Sequence, residues 1–230
     1  GRMTSFHDSE LGEIVVKRSP RTRHVKIRIG TDNRLVVSAP TLMPLFLIKQ
    51  TVHTSRAELQ KMRAQAPPRV YRHGEQIGQS HSLLFTSGAT LDTRVIGRTL
   101  RVELPEIASP DDREVQAIIR QAVIKLLRKE AKIYLGERLR VLAERHHFRY
   151  ERVRYTHAAT RWGSCSSSGT ISLNIALMSL PLELIDYVII HELCHTRQMN
   201  HSNAFWHEVA VLDPHYKLHR RLLKTKTPNV

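Results

Sequence analysis

Residues 187 to 206 read Tyr-Val-Ile-Ile-His-Glu-Leu-Cys-His-Thr-Arg-Gln-Met-Asn-His-Ser-Asn-Ala-Phe-Trp. His191 and His195 are four apart, so on an α-helix they stand one turn apart on the same face and can share one cation. Glu192 follows the first of them. Its carboxylate is badly placed as a third ligand on that face, but it can reach a water held by the ion and take its proton. This is the His-Glu-x-x-His arrangement of zinc hydrolases. The run before it, Leu184 to Ile190, is apolar except at Asp186. It predicts a buried helix that carries the imidazoles inward, where a metal offsets the cost of burying them.

A catalytic zinc takes three protein ligands and leaves one position for water, so a third group is required. His201 leads. A continuous helix would rotate it about 600° beyond His195, roughly 120° off the needed direction, so the chain must turn. Asn200 can supply that turn through the left-handed conformation that ends helices, and Ser202 is a good cap for a new helix from Asn203. Glu208 and His207, both on that following helix, are the alternates. Cys194 points away from the two histidines and is read as packing.

At 230 residues the chain holds one large or two small domains. No stretch approaches a membrane span, and no secretory pattern opens the sequence; Gly1 and Arg2 ahead of Met3 read as a remnant before a natural start. Two cysteines, Cys165 and Cys194, are too few for a disulfide framework and favour a reducing cytoplasm. Thirty-six Lys and Arg against 21 Asp and Glu give a net charge of +15. Such a surface draws polyanions, so DNA or RNA is a candidate partner, although the excess is scattered rather than gathered in one block.

Upstream, Glu13 to Arg18, His24 to Ile29 and Leu35 to Ser38 read as strands. In the second, Lys26 and Arg28 alternate with Val25, Ile27 and Ile29, the period of a half-buried strand. The turn Gly30-Thr31-Asp32-Asn33 makes strands two and three a hairpin. Met43 to Arg63 reads as one helix, stopped by Pro67-Pro68. Further strands are expected at 69–71, 74–78, 81–85, 91–96 and 99–104, so residues 1–106 form a β-rich module with one helix. A long helix runs from Pro110 to about Glu144, capped by Ser109. Residues 151–156 read as a strand, then Arg161 to Ser166 and Thr170 to Leu177 as a hairpin. The backbone of that hairpin lies open to a substrate chain, which makes Arg161, Trp162 and Gly163 the expected substrate-binding residues. The other reading of Trp162 is core packing.

With these segments assembled, the chain resembles the YgjP-like family of zinc-dependent hydrolases, relatives of the SprT-like and Wss1-like proteases that act on proteins attached to DNA. The resemblance rests on Arg21-Thr22-Arg23-His24, Val36 to Pro40, Arg161-Trp162-Gly163-Ser164-Cys165, the metal motif, Asn200-His201-Ser202 and Phe205-Trp206. It implies an α+β fold, with the β-rich module of residues 1–106 followed by a zincin-like catalytic domain of residues 107–230. It also implies His191, His195 and His201 as Zn2+ ligands and Glu192 as general base for hydrolysing a protein or peptide substrate. For the oxyanion, Tyr187, Arg161, His157 and His207 are not distinguished by spacing. The competing reading is a nucleic-acid-associated protein with a structural zinc.

Overall fold

In the computed structural model the described residues are 3–30, 34–65 and 69–230. Most of the expected turn at Gly30 to Asn33, and the Pro67-Pro68 stop, lie outside them. Strands and helices are mixed as an α+β fold requires, and among the described residues no helix is long and apolar enough to cross a membrane. The chain divides into two compact units, Gly1–Arg69 and Val70–Val230.

The first unit is a four-stranded sheet with two helices. Its strands β1 (Met3–Asp8), β2 (Gly12–Ser19), β3 (Lys26–Ile29) and β4 (Leu35–Pro40) lie in the order β1-β2-β4-β3. β1 has no apolar alternation and was not expected. The hairpin was: Ile27 pairs with Val37 and Ile29 with Leu35, while Lys26 and Arg28 face outward. Two helices, α1 (Leu45–Thr54) and α2 (Arg56–Gln65), stand where one was expected. Thr51 and Thr54 turn their hydroxyls back onto the carbonyls of Leu47 and Gln50, a competition that weakens a helix at its end, and α2 restarts with Leu59 N–H on Ser55 O. Ile48, Val52 and Leu59 from the helices close a core with Ile14, Val16, Leu35 and Val37. Asp8 seals one end of it, accepting from the N–H groups of Glu10 and Leu11 and from the Arg56 guanidinium, which holds its carboxyl down to about 2.

The second unit opens on another four-stranded sheet: β5 (Gln76–Ile77), β6 (His81–Ser87), β7 (Asp92–Ile96) and β8 (Thr99–Leu104), in the order β5-β6-β8-β7. Residues 69–71 form no strand; Tyr71 instead exchanges backbone hydrogen bonds with the Gln116 amide at 2.7 and 3.0 Å. The apolar face of this sheet, with Leu83, Leu100 and Val102, shares one core with α3 (Arg113–Arg145). The compact units thus divide at 69/70 rather than at 106/107, because this sheet has its core in common with the long helix. α3 begins three residues later than expected, since Ser109 and Asp112 bond to each other's turn rather than to helix N–H groups. Along it Val115, Ile119, Leu126, Leu135 and Leu139 are buried, whereas Ile118 and Ile133 are exposed.

After α3 comes a three-stranded sheet: β9 (Arg152–Thr156), β10 (Gly163–Cys165) and β11 (Thr170–Asn174), ordered β10-β11-β9. β11 runs parallel to β9 and antiparallel to β10, which leaves β10 as an edge. The expected strand through Leu177 ends at Asn174, where a 3-10 turn, Ile175–Ser179, takes over. Asn174 is fully buried. Its amide donates to the carbonyls of Ala158 and Arg161 at 2.8 Å, and its oxygen accepts from Ala176 N–H, so the segment leading into β10 hangs on one side chain. Three helices complete the unit: α4 (Leu182–His195), α5 (Asn203–Leu212) and α6 (Tyr216–Lys224).

Candidate metal centre

The site is carried by α4. Pro181 precedes its first turn, and Leu184, Ile185, Tyr187, Val188, Ile189 and Ile190 are buried as the apolar run predicts. Asp186, the polar interruption, makes a two-bonded pair with Arg138 of α3 at 2.7 Å for each bond, which fixes the rotation of α4. His191 and His195 then project together from its last turn.

The chain leaves α4 by a tight turn, with Thr196 N–H on Leu193 O and the N–H groups of Arg197 and Gln198 on Cys194 O. Asn200 does not make this turn in a left-handed conformation; among the described non-glycine residues only His147 has a positive φ. Ser202 does cap α5, its hydroxyl accepting from Phe205 N–H at 3.3 Å. Between turn and cap, His201 is brought back to the other two imidazoles.

The three Nε2 atoms form a triangle with every side 3.2 Å. Nitrogen ligands about 2.0–2.1 Å from a tetrahedral cation stand about 3.3 Å apart, so the donor set fits a metal ion. His195 Nδ1 lies 3.0 Å from the Gln198 carbonyl oxygen, which can only accept, so Nδ1 holds the proton and Nε2 offers its lone pair. Burial, then the neighbouring imidazoles, push the His191 pKa down to about 3 and that of His201 in the same direction; both are neutral and ready to ligate at pH 7.

Aromatic rings hold the imidazoles in place. Phe205 stacks on His195 with centroids 4.4 Å apart, and Trp206 stacks on His201 at 5.6 Å. Trp206 is backed by Tyr216 at 5.4 Å and by the Arg220 guanidinium at 4.6 Å. The alternates stand elsewhere: Glu208 is paired with Arg197, and His207 is exposed and outside the metal-holding group. Cys194 is packed in the core, with its thiol pushed up to about 12 by burial.

Glu192 is buried against β10. A Cβ added at Gly163 would stand 2.9 Å from both Glu192 Cγ and Oε1, so the edge strand passes this close because residue 163 has no side chain. Burial raises the Glu192 carboxyl to about 8, with the Arg161 charge pulling the other way. Trp162, just ahead of the same strand, packs half-buried against the core. Of the other oxyanion candidates, Tyr187 meets His191 edge-on at 5.9 Å with its hydroxyl raised to about 12, and His157 lies in the segment between β9 and β10. Sequence reasoning missed Arg220, whose charge reaches His191, His201 and Tyr187, and the His219–Asp213 pair at 2.6 Å, in which Asp213 is buried and His219 half-buried. Both sit on or beside α6, which carries no motif that spacing could reveal.

A family model covering most of the chain supplies the class. Residues 23–226 match the model described as YgjP-like, metallopeptidase domain. This is a metal-dependent peptidase, and the chain belongs to the YgjP-like family that its motifs resemble. Among solved structures, the crystal structure of the metallopeptidase zymogen of Pyrococcus abyssi abylysin is similar to 39% of this chain and 91% of that one. The two are 27% identical, with a TM-score of 0.37. No curated protein matches the chain.

Proposed function

We propose that the protein hydrolyses peptide bonds with zinc held by His191, His195 and His201, Glu192 acting as general base and Arg161, Trp162 and Gly163 receiving the substrate. The observation that carries this is the triangle of Nε2 atoms beside a buried carboxylate. Zinc, when bound, would lower the pKa of a water to about 7 and polarise a carbonyl. With the cation's positive charge beside it, Glu192 would be held as the carboxylate despite its burial, and so could take the proton from the attacking water and return it to the departing amine. Gly163 lets substrate backbone extend the β10 edge within reach of that carboxylate, and Trp162 anchors the strand. Cys165 and Cys194 are both free thiols, which suits a cytoplasmic setting.

The competing reading, a nucleic-acid-associated protein with a structural zinc, needs a fourth protein ligand. Among the described residues the metal-holding group has three members. Nucleic-acid contact is supported by the net charge of +15 alone. The test is metal analysis of the wild-type protein beside His201→Ala, with hydrolysis of an unfolded protein measured with and without chelator. The expected result is one zinc per chain, lost with His201, and chelator-sensitive cleavage; full cleavage by metal-free protein would overturn the proposal.

A further inference from the structure

The sheet β10-β11-β9 has two unlike faces. Val153, Ile171 and Leu173 pack into the core. On the opposite face the register sets Arg152 beside Thr170, and Arg154 beside Ser172 and Ser164. That face is hollowed into a groove of about 390 Å³ lined by three arginines, five hydroxyl side chains and Cys165, with no carboxylate. Glu151, the nearest acid in sequence, stands against Gly169 at the rim and is not among the lining residues.

The cations are available. Arg152 makes a neutral bond to Thr170 Oγ1 at 3.2 Å, Arg154 has no carboxylate partner among the described residues, and Arg161 acts on Glu192 through space without an ion pair. Guanidiniums gathered with none of them ion-paired to a carboxylate repel one another unless an anion joins them, and serine and threonine hydroxyls donate readily to carboxylate oxygens. The groove lies beside the candidate catalytic site, since the Glu192 charge is felt at Cys165 on its wall. Ser164 and Cys165, on its wall, come directly after Gly163, which touches Glu192, and the Arg161 charge is felt at that carboxylate.

We infer that this groove is a subsite for an acidic segment of the polypeptide substrate, so that the enzyme selects chains carrying glutamate or aspartate beside the bond it cuts. The inference rests on the proposed peptidase reading of the site. A polypeptide is favoured over a polynucleotide because the groove is confined to one face of a sheet with strands of three to five residues and opens onto the edge where a peptide would lie. A nucleic-acid track would need phosphate contacts continued well beyond it.

The test measures binding without turnover, in the full chain carrying Glu192→Gln. Two labelled peptides of equal length are compared, one with four glutamates and one with four glutamines in their place. The glutamate peptide is expected to bind at least about tenfold more tightly, as one or two charge-assisted hydrogen bonds would give. Arg152→Gln/Arg154→Gln should bring that ratio near one, and Arg154→Gln alone should lower it part of the way. Lys26→Gln/Arg28→Gln, which removes the same charge from the first unit, should leave it unchanged.

An unchanged ratio in the arginine variants overturns the subsite, as does equal loss in the lysine-arginine control. Tighter, Arg152- and Arg154-dependent binding of a single-stranded oligonucleotide of matched charge would reassign the groove to nucleic acid. If no peptide is cleaved by the protein with native Glu192 while the binding ratio stands, the peptidase reading fails and the groove does not.

Discussion

The sheets β1-β2-β4-β3 and β5-β6-β8-β7 have the same strand order and the same senses, antiparallel, parallel, antiparallel. Their fates differ because the chain leaves them for helices of very different length. After the first come two ten-residue helices split at Ser55, just long enough to cover its apolar face and close a separate core. After the second comes a 33-residue helix, and its Leu83, Leu100 and Val102 join a core that runs on through Leu139, Ile189 and Leu193 to the metal motif. The lesson is that strand content does not mark a domain; the continuity of buried side chains does.

The largest expected effect tests whether the chemistry belongs wholly to the second unit. Glu192→Gln should keep the metal and lower turnover by about 10²- to 10⁴-fold, the usual worth of a positioned general base, without altering the melting of the metal-loaded protein at neutral pH. A variant that retains the wild-type rate would remove the role. Next in size is a matched pair on the inner strands: Leu35→Ala and Leu100→Ala each empty a fully buried site and should cost about 2–5 kcal/mol. Calorimetry of metal-loaded protein should show Leu100→Ala lowering the transition that releases metal, and Leu35→Ala lowering a separate one. If both shift a single common transition, the distinction between the cores fails.

Smaller again is Asn174→Ala, which strands the carbonyls of Ala158 and Arg161 and should cost about 1–3 kcal/mol. Because that segment carries Arg161 into β10, KM should rise more than kcat falls. The smallest effect is in pH dependence, where the units should show opposite signs. Asp8, held down to about 2 mainly by its bond to Arg56, stabilises the first unit above its ordinary value near 3.8, and that contribution is lost as pH falls toward 2. In chelated protein Glu192, raised to about 8, favours the second unit at low pH, and its contribution is lost as pH rises through 8. Above 6.5 His191 is neutral folded or unfolded, so Glu192 dominates there. Melting curves of the metal-free protein from pH 6.5 to 9 should fall for wild type and stay flat for Glu192→Gln.

Much of this was legible in the sequence where one local rule sufficed. The spacing of His191 and His195, the apolar run of α4, the Ser202 cap and the alternation of Lys26 and Arg28 each depend on a few neighbouring residues. The turn after His195 was foreseen, but not its mechanism, because N–H groups bonding back to Leu193 and Cys194 leave no mark in residue type. The break at Ser55 turned on hydroxyls competing for carbonyls, and the division at 69/70 on which core the second sheet joins, a long-range outcome. In the sequence Gly163 signals no more than an open backbone. That its missing side chain makes room for Glu192, 29 residues later, required three dimensions.

Arg197 gives the centre a brace anchored elsewhere. Its guanidinium donates to the carbonyls of His146 and His147, lies 3.9 Å from the Phe148 ring and pairs with Glu208 of α5. The loop that presents His201 is thereby moored to the far tip of α3, at the left-handed residue that ends it. Cutting that mooring would leave a two-point seat on α4 and a third imidazole swinging loose, so the grip on the ion is set partly by a hinge pin that never touches it.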